Sequence, residues 1–358
     1  GANPKIMRDF ANDFPNAKTI LLNFNYRNPS NIVYAAGNLI SKNNNRFTKD
    51  IISTNSEGIV ATLEAKSELE EGDLIIKYLK GLHEKGEDYG DIAILYRNHS
   101  DAKYVLKQLI SEKLPFYLKE QMPNIFSHFI INDLVTFFQL ALGNETRLRI
   151  LSVINKPNRY IHRRSVEEGK NLHGMLNFYR DNPSCYRSLE AFISDLNLIS
   201  KMSPKAAVGY IRNVMGYDSF LKEEALRQNT TFDEYKETIE FFVQTVSKCR
   251  TIKMAIDDLN ILKLKVDYEN KNKSQDREGK IGLYTLHSSK GLEFKNVIII
   301  GANDGIMPSN KAEGREALEA ERRLFYVGIT RTKQNLLISY TNQKNRDKSR
   351  FLDEMSIN

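Results

Sequence analysis

The stretch LFYVGITRTKQNLLISY, Leu324–Tyr340, predicts the end of a helix, a turn and a buried strand. Arg331 lies where the helix stops, immediately before the strand enters a core. An arginine at a helix C-terminus most often complements the helix dipole, and this is the simplest role for Arg331 when the stretch is taken alone. Whether it does more depends on the rest of the chain.

The first third of the sequence alternates predicted strands with predicted helices. The strand candidates are AKTILLNF (17–24), GIVATLEA (58–65), DIAILYR (91–97) and LPFYL (114–118). The helix candidates are SNIVYAAGNLIS (30–41), GDLIIKYLKGL (72–82) and a segment that Ser100 can cap. Alternating β and α elements favour a parallel sheet covered by helices.

The middle of the chain has a different pattern. Helical periodicity replaces strand-like alternation from about Asn124 to Asp267, and the polar stretch ENKNKSQDREGK (269–280) reads as a linker. The α/β pattern then resumes with KIGLYTLH, NVIIIG, a helix EALEAERRLFYVGI and the strand NLLISY. We therefore expect an α/β domain in two segments, 1–120 and 271–358, interrupted by an all-helical insertion, 121–270.

Composition sets broad limits. The chain has 358 residues, 41% of them hydrophobic and 27% charged, as in a soluble globular protein. No run of eighteen apolar residues predicts a membrane span, and the start shows no secretory signal. Cys185 and Cys249 lack metal-ligand spacing and suggest a reduced, cytoplasmic protein. The net charge of +7 weakly favours a polyanionic partner.

Four separated stretches carry residues suited to chemistry. They are LNFNYRNPSNIV (22–33), LYTLHSSKGLEFKNVIIIG (283–301), EAERRLFYVGITRTK (319–333) and KSRFLDE (348–354). Arg27, Lys290 and Glu293 are expected at strand-to-helix transitions, where α/β sheets place ligands. Arginine offers a rigid fork of donors that matches phosphate. Taken singly, however, Arg27 suggests a surface ion pair, and SSKGLEF lacks the spacing of a phosphate-binding loop.

In combination and order, the strings NYR, TLHSSKGLEF, YVGITR and SRFLDE closely resemble the UvrD/Rep/PcrA helicases of superfamily 1. They look like motifs IV, V and VI of these helicases and the segment that follows. The resemblance implies an α/β fold: a RecA-like, P-loop-type parallel sheet that lacks the Walker A half, with an inserted helical subdomain. ATP with Mg²⁺ would be bound mainly by an upstream RecA-like domain of the same chain.

The resemblance also implies roles for individual residues. Arg27 and Arg331 would be catalytic and reach the γ-phosphate, with Arg331 as an arginine finger, while Tyr26 and Glu293 would complete the nucleotide site, Glu293 at the sugar. Thr285, His287 and Lys290 would lie near the track of single-stranded DNA, and Glu321 and Arg322 would support this network.

The implied function is the C-terminal half of a cytoplasmic, ATP-dependent DNA helicase or translocase, moving 3′ to 5′, of a kind associated with DNA repair. Its partners would be single-stranded and duplex DNA, with no membrane. No Walker A, Walker B or motif III glutamine is apparent, so we expect these upstream of Gly1 and expect this polypeptide alone not to be an ATPase. The alternatives are a subunit of a helicase–nuclease, an RNA-polymerase-associated ATPase, or a non-catalytic DNA-binding module.

Two stretches depart from the family pattern. Where family members often show an R-G-I-G hairpin, this chain has NKPNRYIHRRSVEE (155–168), with Tyr160 and His162 at the glycine positions. The cluster Arg159, Arg163 and Arg164 could bind DNA phosphates through side chains, or form a solvated basic loop. NDGIMP (303–308) keeps one acid, Asp304, and has Met307 at the aromatic position, which makes duplex contact by the insertion doubtful.

Overall fold

The computed structural model describes residues 9–10, 12–18, 20–44, 46, 49–272, 277–343 and 346–356. The chain divides into two compact units. The α/β unit comprises the described residues up to Pro123 and from Tyr268 onward, and the helical unit comprises Asn124–Asp267. The domain boundaries 1–120, 121–270 and 271–358 stay a prediction.

The α/β unit is built around parallel strands. Its strands are β1 (Phe24–Pro29), β2 (Ile52–Asn55), β3 (Ile59–Ala65), β4 (Ile92–Tyr96), β5 (Phe116–Leu118), β6 (Ile281–Thr285), β7 (Phe294–Ile299) and β8 (Thr332–Thr341). Its helices are α1 (Ser30–Ser41), α2 (Glu68–Glu84), α3 (Lys103–Ser111), α13 (Arg315–Ile329) and α14 (Arg350–Glu354).

Within the described residues, β3 to β8 form a six-stranded sheet in the order β3-β8-β7-β4-β6-β5, in which every neighbouring pair is parallel. Every residue of β4 and β6 is buried, as expected for central strands covered on both faces. The predicted α/β fold with a parallel sheet is therefore confirmed, and it agrees with a RecA-like domain.

The first strand begins later than the sequence predicts. The stretch AKTILLNF was expected to be a strand, but β1 begins at Phe24, and Tyr26 and Arg27 lie inside it. β1 pairs with β2 in a separate two-stranded ladder. Pro29 ends β1 and precedes α1, whose bounds match the predicted helix, with Ile32, Ala36 and Leu39 buried. Arg27 therefore lies at a strand-to-helix transition, as expected.

The connection from β6 to β7 is unusual for a parallel sheet. Residues 286–293, all of which the structure describes, form turns rather than the short helix that the sequence suggested. β6 and β7 lie on either side of β4, so this eight-residue crossover must pass from the carboxyl edge of the sheet to its amino edge. The prediction that Lys290 and Glu293 mark a strand-to-helix transition was therefore wrong.

The helical unit contains the elements expected from its periodicity. Its helices are α4 (Phe129–Ala141), α5 (Arg147–Val153), α6 (Arg163–Gly169), α7 (Leu172–Phe178), α8 (Pro183–Ile199), α9 (Pro204–Asn213), α10 (Tyr217–Arg227), α11 (Phe232–Thr245) and α12 (Ile252–Lys271). The last residues of α12 follow Asp267, the final residue of the helical unit. In the described part of the chain, no helix is long and apolar enough to cross a membrane.

One smaller correction concerns helix capping. Ser100 was expected to cap α3, but Ala102 precedes α3 without a side-chain cap, and Asn98 caps the short 3₁₀ helix, His99–Ala102, that leads into it. The linker prediction 269–280 also began too early, since Lys271 still belongs to α12. Residues 273–276 of that linker lie outside the described residues.

Candidate nucleotide and DNA site

The predicted functional residues of the α/β unit fall on two opposite edges of the sheet. Arg331 directly precedes β8, and Glu293 directly precedes β7, so both lie at the amino edge. Thr285 ends β6, and His287 follows it at the carboxyl edge. Strands of five or six residues separate the two edges by roughly 15–20 Å. The crossover 286–293 joins them.

Four charged side chains meet at the amino edge and are called here the amino-edge cluster: Arg27, Glu293, Arg331 and Lys333. One carboxylate oxygen of Glu293 is paired with the Arg27 guanidinium, and the other lies 3.0 Å from Lys333 Nζ. All three side chains are partly exposed, by 37% for Arg27, 32% for Glu293 and 52% for Lys333. The cluster carries a formal excess of two positive charges at a solvent-accessible surface.

Arg331 is fixed by backbone groups. Its Nε donates to Val327 O (2.9 Å) in the last turn of α13, and its Nη1 donates to Leu292 O (3.1 Å) at the end of the crossover. Its Nη2 donates to Thr330 Oγ1 (3.2 Å). The guanidinium thus caps its own helix, as the simplest interpretation expected, and also binds the segment that carries Glu293. A guanidinium has five N–H donors, so two remain for a ligand.

Two asparagines, the buried Asn28 and the partly exposed Asn25, join the Arg27 segment to the Arg331 segment. Asn28, 2% exposed, donates from Nδ2 to Thr330 O (3.1 Å) and Thr332 O (2.7 Å), the carbonyls on either side of Arg331. Asn25 Oδ1 accepts from the backbone amides of Arg27 and Asn28, both at 2.9 Å, and Asn25 Nδ2 donates to Asn28 Oδ1 (3.0 Å). This network fixes the two arginines relative to each other.

The electrostatics of the cluster favour an anionic ligand. The hydrogen bond from Lys333 and the charges of Arg27 and Lys333 hold the pKa of Glu293 below its usual range, so it stays ionised. Partial burial and the nearby Arg27 lower the pKa of Arg331 from its ordinary high value. Two like charges therefore stand close together, and an anion placed between them would relieve their repulsion.

Tyr26 lies beside this cluster on β1 and is 76% exposed. An exposed aromatic ring offers an apolar face on which a nucleobase can stack. The structure thus brings together Arg27, Glu293 and Arg331, three of the four residues that the family resemblance assigned to the nucleotide, while Tyr26 directly precedes Arg27 on β1. Lys333, Asn25 and Asn28 were not singled out from sequence, although Lys333 lies only two residues after Arg331.

The carboxyl edge holds the predicted DNA-contacting residues. The Thr285 hydroxyl donates to Glu120 Oε2 (2.8 Å), and it accepts from the backbone amide of Ser288 (3.1 Å). His287 and Lys290 are exposed. Partial burial and the charge of Arg97 lower the pKa of His287, which favours a neutral imidazole. Thr285 is therefore bound within the protein, whereas the other two side chains face solvent.

Arg97 is a further charged residue at this edge, directly after β4. It forms a two-pronged ion pair with Glu321, at 2.8 Å and 3.1 Å, in a largely buried position. Parallel sheets bind ligands at the carboxyl ends of their strands. Because Arg97 directly follows a buried strand, it could have been identified as a candidate from the sequence. Glu321 therefore lies near His287, in keeping with the supporting role expected of it.

Arg322 has a different location from its neighbour Glu321. It is 4% exposed and binds Glu354 through two hydrogen bonds, at 2.6 Å and 2.8 Å, and Asn43 Oδ1 through a third at 2.6 Å. These contacts join α13 to α14 and to the segment after α1. Arg322 therefore holds elements of the fold together. Its expected part in the functional network stays a prediction.

In the helical unit, the three arginines predicted to bind phosphate differ in placement. Arg159 donates to the carbonyls of Ile154, Pro157 and Met215, and its Cζ lies 4.9 Å from the centre of the Phe192 ring. Burial lowers its pKa to about 10. Its guanidinium therefore has internal partners and serves packing, so we do not retain Arg159 among the proposed DNA contacts.

Arg163 and Arg164 are exposed at the start of α6. Their side chains are each 69% exposed and pair with Glu167 (3.4 Å) and Glu168 (3.0 Å). Tyr160 has a positive φ of 57°, in the left-handed region that favours glycine, and its side chain is 79% exposed. A bulky residue at this position agrees with the predicted departure from a glycine-containing hairpin.

Two other carboxylates of the α/β unit, those of Asp304 and Glu71, have partners within the protein. Asp304 forms a two-pronged ion pair with Arg350, while Met307, 1% exposed, is part of the core. Glu71, 3% exposed, accepts from the backbone amide of Gly301 (3.0 Å) and from Ser339 Oγ (2.6 Å), and burial raises its pKa. Among the described residues, no group of three His, Cys, Asp or Glu side chains could hold a metal ion.

Comparison with known proteins settles the family. The family model described as the UvrD-like helicase C-terminal domain matches residues 20–343. The chain belongs to this family. It is 30% identical to the ATP-dependent DNA helicase Rep of Buchnera aphidicola from Acyrthosiphon pisum, over 95% of this chain and 56% of that protein. The resemblance drawn from the motifs is therefore confirmed.

Two further relatives give the same result. DNA helicase II of Escherichia coli K12 is 28% identical over 95% of this chain and 50% of its own length. The ATP-dependent DNA helicase PcrA of Bacillus subtilis 168 is 27% identical over 97% of this chain and 49% of its own length. The chain spans about half the length of the curated relatives it matches.

Proposed function

We propose that this chain forms the C-terminal half of an ATP-dependent DNA helicase that moves 3′ to 5′ along single-stranded DNA. The observation that carries the proposal is the amino-edge cluster, in which Arg27 and Arg331 stand together at one surface and are joined by the buried Asn28. The relatives are ATP-dependent DNA helicases by name, which supports the same activity here. The chain has only two cysteines, Cys185 and Cys249, and this sparse usage favours a cytoplasmic setting.

The amino-edge cluster suits the terminal phosphates of a nucleotide. Three cations surround one carboxylate, so a polyphosphate would find compensating charge and free guanidinium donors. ATP would supply the transferable γ-phosphoryl group. Arg27 and Arg331 would donate hydrogen bonds to its oxygens, and Glu293 would accept from the sugar. Inserted arginines of this kind are worth 10³ to 10⁵ in rate, or roughly 4–7 kcal/mol of barrier.

The remaining nucleotide-binding groups are expected on another domain. The ATP-dependent helicases that the chain matches are about twice as long as the part that it covers. We propose that an upstream RecA-like domain of the same protein holds the metal and most of the nucleotide. The 358-residue chain alone would then bind nucleotide weakly and would not hydrolyse ATP.

The crossover 286–293 provides the physical link to DNA. His287 and Lys290 are exposed near its start, while its end carries Glu293 and is bound by Arg331 through Leu292 O. A displacement of the crossover at the carboxyl edge would therefore also move Glu293 and Leu292 at the amino edge. We propose that single-stranded DNA contacts the carboxyl-edge residues and that the crossover transmits this contact to the nucleotide side.

The test uses the longest natural polypeptide that contains this sequence, beside the 358-residue chain. ATP hydrolysis is measured with and without single-stranded DNA, and arrival at a fluorophore on the 3′ or the 5′ end reports direction. We expect DNA-stimulated hydrolysis by the longer protein alone, with arrival at the 5′ end. A longer protein that binds DNA without hydrolysing ATP would instead support a non-catalytic module.

A further inference from the structure

We propose that Lys333 is a positioning residue that holds Glu293 in place, so that Arg27 can exchange this carboxylate for the phosphate of a bound nucleotide. The inference deepens the proposed function and rests on it. It follows from the way in which one carboxylate is shared by two cations.

The carboxylate of Glu293 is shared between Arg27 and Lys333, one oxygen for each cation. Glu293 has two carboxylate oxygens, and each has its own cation: Oε1 is paired with Arg27, and Oε2 lies 3.0 Å from Lys333 Nζ. The carboxylate therefore keeps one partner when the other departs. A carboxylate paired with Arg27 alone would have to lose its single counter-ion whenever Arg27 turned to a ligand.

Lys333 also supports the ionised form of Glu293. The hydrogen bond from Lys333 and the charge of Arg27 both lower the pKa of Glu293. Lys333 is the second residue of β8 and follows Arg331 by two positions. Arg331 in turn binds Leu292 O, next to Glu293. Both neighbours thus hold Glu293 from the β8 side.

Arg27 and Lys333 reach Glu293 from different sheets. Arg27 lies on β1 in the separate two-stranded ladder, whereas Lys333 lies on β8, which pairs with β7 next to Glu293. A phosphate dianion attracts a guanidinium more strongly than one carboxylate does, because it carries more charge and more acceptor oxygens. When Arg27 turns to the phosphate, Lys333 remains on Glu293 and screens its charge, which would otherwise repel the nucleotide.

The test measures steady-state ATP hydrolysis with saturating single-stranded DNA, using the longest natural polypeptide that contains this sequence. Lys333→Met removes the charge and keeps the apolar stem. Lys80→Met is the matched control, because Lys80 is a comparably exposed lysine in an ion pair with Glu112 (2.7 Å), far along α2. We expect Lys333→Met to raise KM for ATP about two- to five-fold, with a smaller change in kcat, and Lys80→Met to change neither.

A double-mutant cycle separates the proposed role from others. In a Glu293→Gln background no carboxylate needs screening, so Lys333→Met should then leave KM nearly unchanged. If the KM increase persists in that background, Lys333 acts on the nucleotide directly and the inference is wrong. An unchanged KM in the single variant also refutes it, while the proposed function stands. Absence of ATP hydrolysis by the unaltered protein overturns both proposals.

Discussion

Replacing Asn28 with alanine should loosen the connection between the two arginine segments. The Asn28 amide donates to the carbonyls of Thr330 and Thr332 and is almost completely buried. Alanine removes both donors and leaves the carbonyls facing a small cavity. The segment before β8 should then move more freely relative to β1.

The expected cost follows from the hydrogen bonds. Each lost bond is worth about 0.5–1.5 kcal/mol, and a buried acceptor left unpaired costs about 1–3 kcal/mol. Because strand pairing can still satisfy part of the carbonyl groups, we expect Asn28→Ala to lower the free energy of unfolding of the α/β unit by about 2–3 kcal/mol. Hydrogen exchange of peptides covering residues 22–33 and 324–340 should rise more than elsewhere.

The assay is urea unfolding of the 358-residue chain, followed by circular dichroism because the sequence contains no tryptophan. Asn342→Ala is the control, since Asn342 makes an exposed hydrogen bond of 2.7 Å to Glu64. The control should stay within about 0.5 kcal/mol of wild type. If Asn28→Ala matches the control in stability and in exchange, the asparagine connection does not hold the two segments.

Three further predictions concern Glu71, the Arg159 and Arg164 pair, and Glu120. Burial raises the pKa of Glu71, so its contribution to stability is present below its unfolded pKa and is lost as pH rises through the folded pKa. Glu71→Gln should therefore stabilise the chain at pH 8 by on the order of 1 kcal/mol, with a smaller gain at pH 5, in urea unfolding at both values. Arg159→Ala should destabilise the helical unit by about 1–3 kcal/mol in the same assay without weakening DNA binding, whereas Arg164→Ala should weaken DNA binding about two- to five-fold with little loss of stability. Glu120→Gln should tighten binding of single-stranded DNA a few-fold at low salt, because it removes a negative charge beside Thr285, and fluorescence anisotropy should show the gain shrinking at high salt.

A specific result would contradict each of these three predictions. A Glu71→Gln variant that is less stable than wild type at pH 8 would mean that the ionised carboxylate is favoured in the fold. Loss of DNA affinity in Arg159→Ala, at unchanged stability, would restore Arg159 as a phosphate contact. Weaker DNA binding by Glu120→Gln would show that Glu120 helps the DNA face, and Glu112→Gln serves there as a carboxylate control.

The sequence predicted the elements whose own residues determine them. α1 agrees with its predicted bounds because a helical apolar stripe follows directly on a proline that ends β1. The first strand was placed too early because TILL is apolar, while pairing with β2 involves the more polar segment from Phe24 onward. Local propensity predicts a strand but not which segment finds a partner.

The site was predicted in part for a similar reason. Motif strings identified Arg27, Glu293 and Arg331, but their meeting at the amino edge depends on a crossover without a helix, which is rare between parallel strands. The burial of Arg159 depends on the Met215 carbonyl and the Phe192 ring, which come from distant parts of the chain. Sequence shows a basic cluster equally well whether its members face solvent or the core.

The most direct test of the account is the turnover number for ATP in the presence of single-stranded DNA, for the longest natural polypeptide with Arg331→Ala. Arg212→Ala is the matched control, a partly buried arginine in a two-pronged ion pair with Asp218. The account predicts that Arg331→Ala lowers kcat by about 10³-fold or more at retained folding, while Arg212→Ala stays near wild type. Equal turnover in both variants would contradict the assignment of Arg331 to the nucleotide.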